Sequence, residues 1–281
     1  LLLRVQTRGR ESLMMLAESE DGVRFDVRPR LVEIEDLEAA AGETVHHVYD
    51  PRLTVIDDVL HVVVAVDLDR CCRLAIAKTS DLERWELVAF DTEGDRRNGV
   101  LFPARVGGRW LRLERPNPKA HTDSPAAGDS IELAASDDLR TWSSVGPVMR
   151  GRPRSWDERI GSGPPPVRVA DGWLHVYHGV ATHFASGGGI YQAGVVLLDA
   201  DDPTRVLART RRNVLEPRAA YELVGQVPNV VFPSGLVVQG VPAAEIAPPA
   251  ARVRLYYGAA DTSVGLATTT IGELLRACRE D

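Results

Sequence analysis

The sequence predicts an all-β fold, a five-bladed β-propeller closed by a short C-terminal helix, and three observations carry that expectation. Helical periodicity is scarce, whereas short β-branched and apolar runs separated by Gly, Pro and Asp recur along the whole chain. A strand ending in a small polar residue and then Asp-x-x-x-aromatic occurs three times, at Ser19-Glu20-Asp21 to Phe25, Ser80-Asp81 to Trp85 and Ser136-Asp137-Asp138 to Trp142. Asp21 and Asp81 are 60 residues apart, Asp81 and Asp138 are 57, and a degraded turn at Asp199-Ala200-Asp201-Asp202-Pro203 follows about 61 residues later. Two-residue hairpin signals interleave with these, at Ile56-Asp57-Asp58-Val59, Val106-Gly107-Gly108-Arg109 and Val169-Ala170-Asp171-Gly172. A repeat of this length has the size of a propeller blade, and four copies with an incomplete start make five. A β-sandwich with repeated hairpins is the competing architecture.

Taken in order, strands are expected at residues 53–56, 60–66, 74–78, 110–113, 131–134, 173–177, 195–198, 230–238 and 252–257. A weak helix, acidic and Ala-rich, is expected at 34–41. The C-terminal helix is expected from Ile271 to Arg279, with Leu274, Leu275 and Cys278 on one side and Thr270 with Glu273 as a capping box. Trp85 and Trp142 recur at equivalent repeat positions and are read as blade packing. The first residues, Leu1-Leu2-Leu3-Arg4-Val5, read as mid-strand without an initiator Met, so an N-terminal segment is expected to be missing from a single domain spanning 1–281.

Composition narrows the function. The chain has 281 residues with 33 basic and 40 acidic side chains, a formal charge of −7, which argues against nucleic-acid and anionic-membrane partners. Its 44% apolar and 26% charged residues are those of a soluble globular protein, and its strongest apolar run, residues 62–66, is strand length rather than a membrane span. Cys71, Cys72 and Cys278 offer neither a disulfide framework nor zinc spacing, so a reducing cytoplasm is the expected compartment. Adjacent His46 and His47 would face opposite sides of a strand, and His178 with His183 is unlike a metal site; no metal and no organic cofactor are expected. Gly187-Gly188-Gly189 lacks the Lys-Ser/Thr of a nucleotide cradle, and there is no Gly-x-Ser-x-Gly elbow. The scarcity of lysine, only Lys78 and Lys119, is read as a coding bias without functional weight.

Polar residues interrupt the apolar strands at regular places. Tyr49-Asp50-Pro51-Arg52 carries a proline that cannot donate to a ladder, which suits an edge or innermost strand facing a cavity. Arg96-Arg97-Asn98-Gly99, Leu113-Glu114-Arg115-Pro116, Asp157-Glu158-Arg159-Ile160-Gly161 and Tyr177-His178-Gly179 each place a cation or imidazole beside a short strand, one blade after another. Guanidinium groups match phosphate oxygens in bidentate geometry. For any single one of the 31 arginines, a solvated surface role is the competing reading.

The ordered succession of Tyr49-Asp50-Pro51-Arg52, Arg97-Asn98-Gly99-Val100-Leu101-Phe102-Pro103, Arg115-Pro116, Ile160-Gly161-Ser162-Gly163-Pro164-Pro165, Trp173 to Gly179, Pro228-Asn229-Val230-Val231-Phe232-Pro233 and Tyr256 to Asp261 resembles glycoside hydrolase family 130 over the whole chain. The resemblance implies a five-bladed propeller and inverting phosphorolysis of β-mannosides. It makes Asp50 the general acid, acting through the 3-hydroxyl of the mannosyl residue, and Arg97, Arg115, His178 and Tyr191 the phosphate ligands. Arg159 stands where the family has lysine, keeping the charge without its point-like geometry. Arg4, Tyr49, Asn98 and Asp261 are implied to hold the mannosyl ring.

The chemistry of the residues agrees. An inverting hydrolase needs a second carboxylate to activate water, whereas phosphate is already an anionic nucleophile and needs cations to hold it. One Asp among several basic groups therefore favours phosphorolysis, with inorganic phosphate as co-substrate and mannoside as partner. A hydrolase of the same fold and a catalytically silent sugar-binding propeller are the alternatives, and a homo-oligomer stays open. Residues 3–10 and 180–185 look most like the subgroup acting on β-1,4-mannooligosaccharides, with β-1,2-mannoside phosphorolysis as the other linkage. Loops 117–129 and 182–189 are expected to choose the acceptor.

Overall fold

The chain folds into five small sheets, antiparallel except for one two-residue pairing, arranged as the blades of a propeller and followed by a short helix. The computed structural model describes residues 1–9, 11–117, 128–182 and 189–280. Blade 1 holds β1 (Leu2–Gln6), β2 (Ser12–Glu18) and β3 (Asp26–Leu31). Blade 2 runs from β4 (Ile34–Glu35) and α1 (Leu37–Ala41) through β5 (His47–Ile56), β6 (Val59–Asp67), β7 (Cys72–Thr79) and β8 (Trp85–Phe90). Blade 3 is β9 (Arg96–Leu101), β10 (Trp110–Pro116), β11 (Ser130–Ser136) and β12 (Ser143–Arg150). Blade 4 comprises β13 (Arg159–Ser162), β14 (Val167–Val169), β15 (Gly172–Ala181), β16 (Ile190–Leu198) and β17 (Val206–Arg209). After α2 (Ala220–Leu223), blade 5 contains β18 (Val231–Val238), β19 (Arg252–Ala259) and β20 (Ser263–Thr270), and α3 (Ile271–Arg279) ends the chain.

The core lies between blades, which explains the unbroken apolar runs. On β6, Val62, Val64 and Val66 pack with Met14 of blade 1, while Val63 joins Leu101 and Trp110 of blade 3. A strand covered on both faces reads as continuous rather than alternating. Phe102, Leu113 and Ile131 meet Trp173, Tyr177 and Val196 at the next junction, and Val176 and Val195 meet Leu255, Ile271 and Leu274 at the one after. Blades 5 and 1 meet through the Phe25–Tyr256 edge contact at 5.8 Å and the Tyr256 hydroxyl, which donates to the Gly22 carbonyl at 2.7 Å.

The repeated aspartates mark equivalent turns. Asp21 Oδ1 accepts from the amides of Val23 and Arg24, Asp81 Oδ1 from Glu83 and Arg84, and Asp138 Oδ1 from Arg140 and Thr141, all at 2.8–3.0 Å. The degraded fourth copy does the same with the amides of Asp201 and Asp202. Amides pointed at a carboxylate favour its ionised form and hold Asp21 near a pKa of about 2. The polar partner two residues before each Asp is Ser19, Thr79 and Ser136, so in the second copy it is Thr79 and not Ser80. At Ile56-Asp57-Asp58-Val59 both central residues have positive φ, 49° and 62°, the twist that suits a two-residue hairpin.

One sequence expectation shifts. Residues 34–41 are not one helix: Ile34 and Glu35 pair in parallel with Trp85 and Glu86, and the helix begins only at Leu37. Trp85 and Trp142 both serve blade packing, Trp85 fully buried in the cluster with Met14 and Ile34, and half-buried Trp142 against the cluster of Val63, Leu101 and Trp110, with the Arg112 guanidinium over its ring at 4.6 Å. The C-terminal helix runs from Ile271 to Arg279 with the Thr270–Glu273 capping box formed. Among the described residues, no helix is long and apolar enough to cross a membrane.

Candidate active site

The site is built from irregularities in the strands around the central channel. β5 is the edge strand of its sheet, as Pro51 requires, and its pairing with β6 shifts register between Tyr49 and Arg52. β9 is likewise an edge strand and shifts against β10 between Leu113 and Arg115. At these shifts Asp50 and Asn98 take left-handed conformations, φ 53° and 51°, and Asp261 in the β19–β20 turn has φ 52°. Such backbone is unfavourable for residues with a Cβ and re-aims a side chain out of the alternation of the strand. All three side chains converge as a result. Asn98 Nδ2 donates to Asp50 Oδ2 at 3.3 Å, and Arg4 spans both acids, 3.9 Å from Asp50 Oδ1 and 3.2 Å from Asp261 Oδ2.

The cations stand on the neighbouring strands. Arg97 on β9 and Arg115 on β10 are direct cross-strand partners. Like charges placed opposite each other are destabilising unless something anionic lies against them. Arg115 is buried, and Arg97 lies over the Tyr49 ring at 5.7 Å. His178 on β15 is 1% exposed and packs against Phe232 at 4.6 Å and Tyr191 at 6.0 Å. Burial first, then the charges of Arg115 and Arg52, push its pKa well below the usual imidazole value. The ring is therefore neutral near pH 7 and can donate one N–H without adding charge. Burial raises the Tyr191 hydroxyl above the usual phenol range, Arg115 opposing it, so it too is a neutral donor.

Nine residues expected from the sequence, Asp50, Arg97, Arg115, His178, Tyr191, Arg4, Tyr49, Asn98 and Asp261, line one cavity of about 920 Å³. Arg159 does not line it. It opens β13 opposite Val180, and its charge bears on the site residue Tyr191. The loops expected to choose the acceptor, with His183 and most of Gly187-Gly188-Gly189, fall largely outside the described residues, as does Arg10.

Sequence reasoning passed over Arg52. It is 1% exposed, its Nε donates to the Gly163 carbonyl at 2.9 Å, and its guanidinium covers the Phe232 ring at 5.1 Å. It ties the channel-facing segments of blades 2, 4 and 5 beside Asp50. Asp50, Arg52 and Thr54 alternate with Pro51, Leu53 and Val55, and a charge in that alternation two positions after the acid was the available signal.

The family model of glycoside hydrolase family 130, described as beta-1,4-mannooligosaccharide phosphorylase, matches residues 3–280. The chain belongs to this family. Family members are characterised as mannoside phosphorylases, and the protein is an enzyme. It is 31% identical over 277 residues to the beta-1,4-mannooligosaccharide phosphorylase of Ruminococcus albus, a match covering 98% of this chain and 78% of that one. It is 32% identical to the 4-O-beta-D-mannosyl-D-glucose phosphorylase of Bacteroides fragilis over 99% of this chain and 71% of that protein. Among solved structures, the beta-1,2-mannobiose phosphorylase of Listeria innocua in complex with beta-1,2-mannobiose superposes with a TM-score of 0.79 at 29% identity, covering 96% of this chain and 70% of that one.

Proposed function

We propose that the enzyme catalyses inverting phosphorolysis of β-mannosides, converting a β-1,4-mannooligosaccharide and inorganic phosphate into α-D-mannose 1-phosphate and a sugar shortened by one residue. The observation that carries the reading is the cross-strand pair Arg97 and Arg115, set beside a neutral buried His178 and opening on the cavity that holds Asp50. Asp67 meets Arg97 with one carboxylate, and a phosphate dianion on the cavity side would add the further negative charge that two opposed guanidinium groups favour.

In this reading a phosphate oxygen attacks the anomeric carbon from the α face as the bond to the leaving oxygen breaks, and Asp50 provides the proton that the leaving oxygen takes up. Arg4 and Asp261 hold the mannosyl ring, and Asn98 orients the Asp50 carboxylate through its amide. No resident cofactor has a part. Hydrolysis would need a base; Asp261 is the nearby acid, and it is engaged by Arg4. The β-1,4 preference rests on the likeness of residues 3–10 and 180–185 to mannooligosaccharide-type members. Relatives acting on other linkages are equally similar in identity, so the substrate panel must include β-1,2-mannobiose and mannosyl-glucose. The test is product formation from this panel with and without phosphate: mannose 1-phosphate formed only with phosphate supports the reading, and phosphate-independent mannose identifies a hydrolase.

A further inference from the structure

Behind Arg97, on the side away from the sugar cavity, lies a second and more polar cavity of about 320 Å³ whose lining includes Asp67, Asp95, His47 and Arg70. Arg97 lines both cavities and so forms part of the wall between them. Two carboxylates in the rear cavity connect to the two arginines by different routes. Asp67 Oδ1 accepts from the Tyr49 hydroxyl at 2.8 Å and from Arg97 Nη2 at 3.4 Å. Arg115 Nη2 donates to Asn117 Oδ1 at 3.3 Å, and Asn117 Nδ2 donates in turn to Asp95 Oδ1 at 2.7 Å. Asn117 is fixed further by its backbone amide, which donates to the Asp95 carbonyl at 2.8 Å.

We propose that Asp67 and Asn117, the latter anchored by Asp95, are positioning residues that aim Arg97 and Arg115 at a single phosphate. The inference rests on the phosphorolytic reading and adds how its anion site is held. An arginine side chain has many rotamers, and ordering it costs conformational entropy that the bound anion would otherwise have to supply. Two arginines on directly opposed positions also repel, which favours rotamers that turn them apart. Each is instead held from behind by an acceptor. Asp67 gives Arg97 a carboxylate and, through Tyr49, a ring face to lie on. Asn117 gives Arg115 an amide oxygen whose direction is set by Asp95 without bringing that charge against the guanidinium.

Asp67 could alternatively act as a competing anion that weakens phosphate binding, and the two roles predict opposite signs. Removing a competitor lowers the phosphate KM, whereas removing an aiming group raises it. Asn117→Ala separates aim from charge, because it leaves the net charge of the site unchanged. The experiment measures kcat and both KM values for wild type, Asp67→Ala and Asn117→Ala, with thermal unfolding midpoints with and without inorganic phosphate alone. Positioning predicts a phosphate KM about ten-fold higher in each variant, with the mannoside KM within about three-fold of wild type in Asn117→Ala, the variant that leaves the Tyr49–Asp67 hydrogen bond in place. The upward shift of the midpoint with phosphate should shrink in both, while the phosphate-free midpoint holds. An unchanged or lower phosphate KM in both variants overturns the proposal, as does a common fall in kcat, both affinities and the phosphate-free midpoint. The wild-type arm is read separately: turnover that ignores phosphate removes the phosphorolytic reading, and this inference with it.

Discussion

Gly161→Ala adds a single methyl group and reaches both halves of the site. Gly161 lies on β13 directly opposite His178, and a Cβ built there would stand 2.4 Å from His178 Cε1 and 2.6 Å from Asn98 Oδ1. Ordinary contact begins near 3.4 Å, so imidazole and amide must each withdraw by about 1 Å. Neither has slack: His178 is backed by Phe232 at 4.6 Å, and Asn98 is bonded to Asp50. Overpacking of this kind costs about 1–3 kcal/mol of stability, and a displacement of about 1 Å at reacting groups costs about 10²-fold in rate. The assay pairs initial rates of phosphorolysis at saturating substrates with urea unfolding. Gly235→Ala, whose Cβ would meet Tyr256 at 3.6 Å in the same cavity, is the control expected to leave stability unchanged. A Gly161→Ala enzyme that stays folded and keeps its rate within about three-fold of wild type would refute the reasoning, because the positions of His178 and Asn98 would then not matter.

Asp50→Asn removes the acid and should lower turnover of an unactivated mannoside by about 10²–10⁴-fold, with a tenth of wild-type activity enough to exclude the assignment. Arg115→Ala should raise the phosphate KM or abolish phosphorolysis while circular dichroism stays unchanged. Asp157 is fully buried and accepts from Arg152 at 2.8 Å, from Tyr177 at 2.9 Å and also from Arg209; Asp157→Ala removes the carboxylate the two arginines share, leaving them carbonyl and hydroxyl acceptors, and should cost about 3 kcal/mol in urea unfolding without touching the cavity. His175 and His178 are buried; burial foremost holds the first at a pKa of about 3 and the second well below its ordinary value. Only the unfolded chain then takes up these protons below about pH 6.5, so stability must fall as pH drops from there toward 3, by up to about 1.4 kcal/mol per pH unit for each ring. A flat pH dependence of unfolding between pH 7 and 5 would contradict this.

The propeller was legible because its outer features are local. Asp21, Asp81 and Asp138 hydrogen-bond amides two and three residues ahead, so their spacing in sequence is their spacing in the fold. The Thr270–Glu273 cap is equally local, and the buried strands β6 and β15 announce themselves as apolar runs. The channel-facing strands β9 and β13 escaped pattern reading, since Arg97, Asn98 and Gly161 replace the expected alternation with residues the site needs. Residues 34–35 were misread because their parallel pairing with β8 is tertiary. Resemblance brought nine residues to the cavity, but the backing of Arg97 by Asp67 and of Arg115 by Asn117 depends on register that no spacing reveals. The surface reading of arginines also fails for Arg112, which is buried between Asp91 and Glu114.

The central claim is that phosphate, and not water, receives the mannosyl group. Proton and phosphorus NMR of one reaction, β-1,4-mannotriose with enzyme in the presence and absence of inorganic phosphate, tests it most directly. Phosphorolysis yields α-configured mannose 1-phosphate growing in step with phosphate consumed, and no turnover when phosphate is left out. Free mannose released at the same rate in both samples, with no sugar phosphate signal, would contradict it.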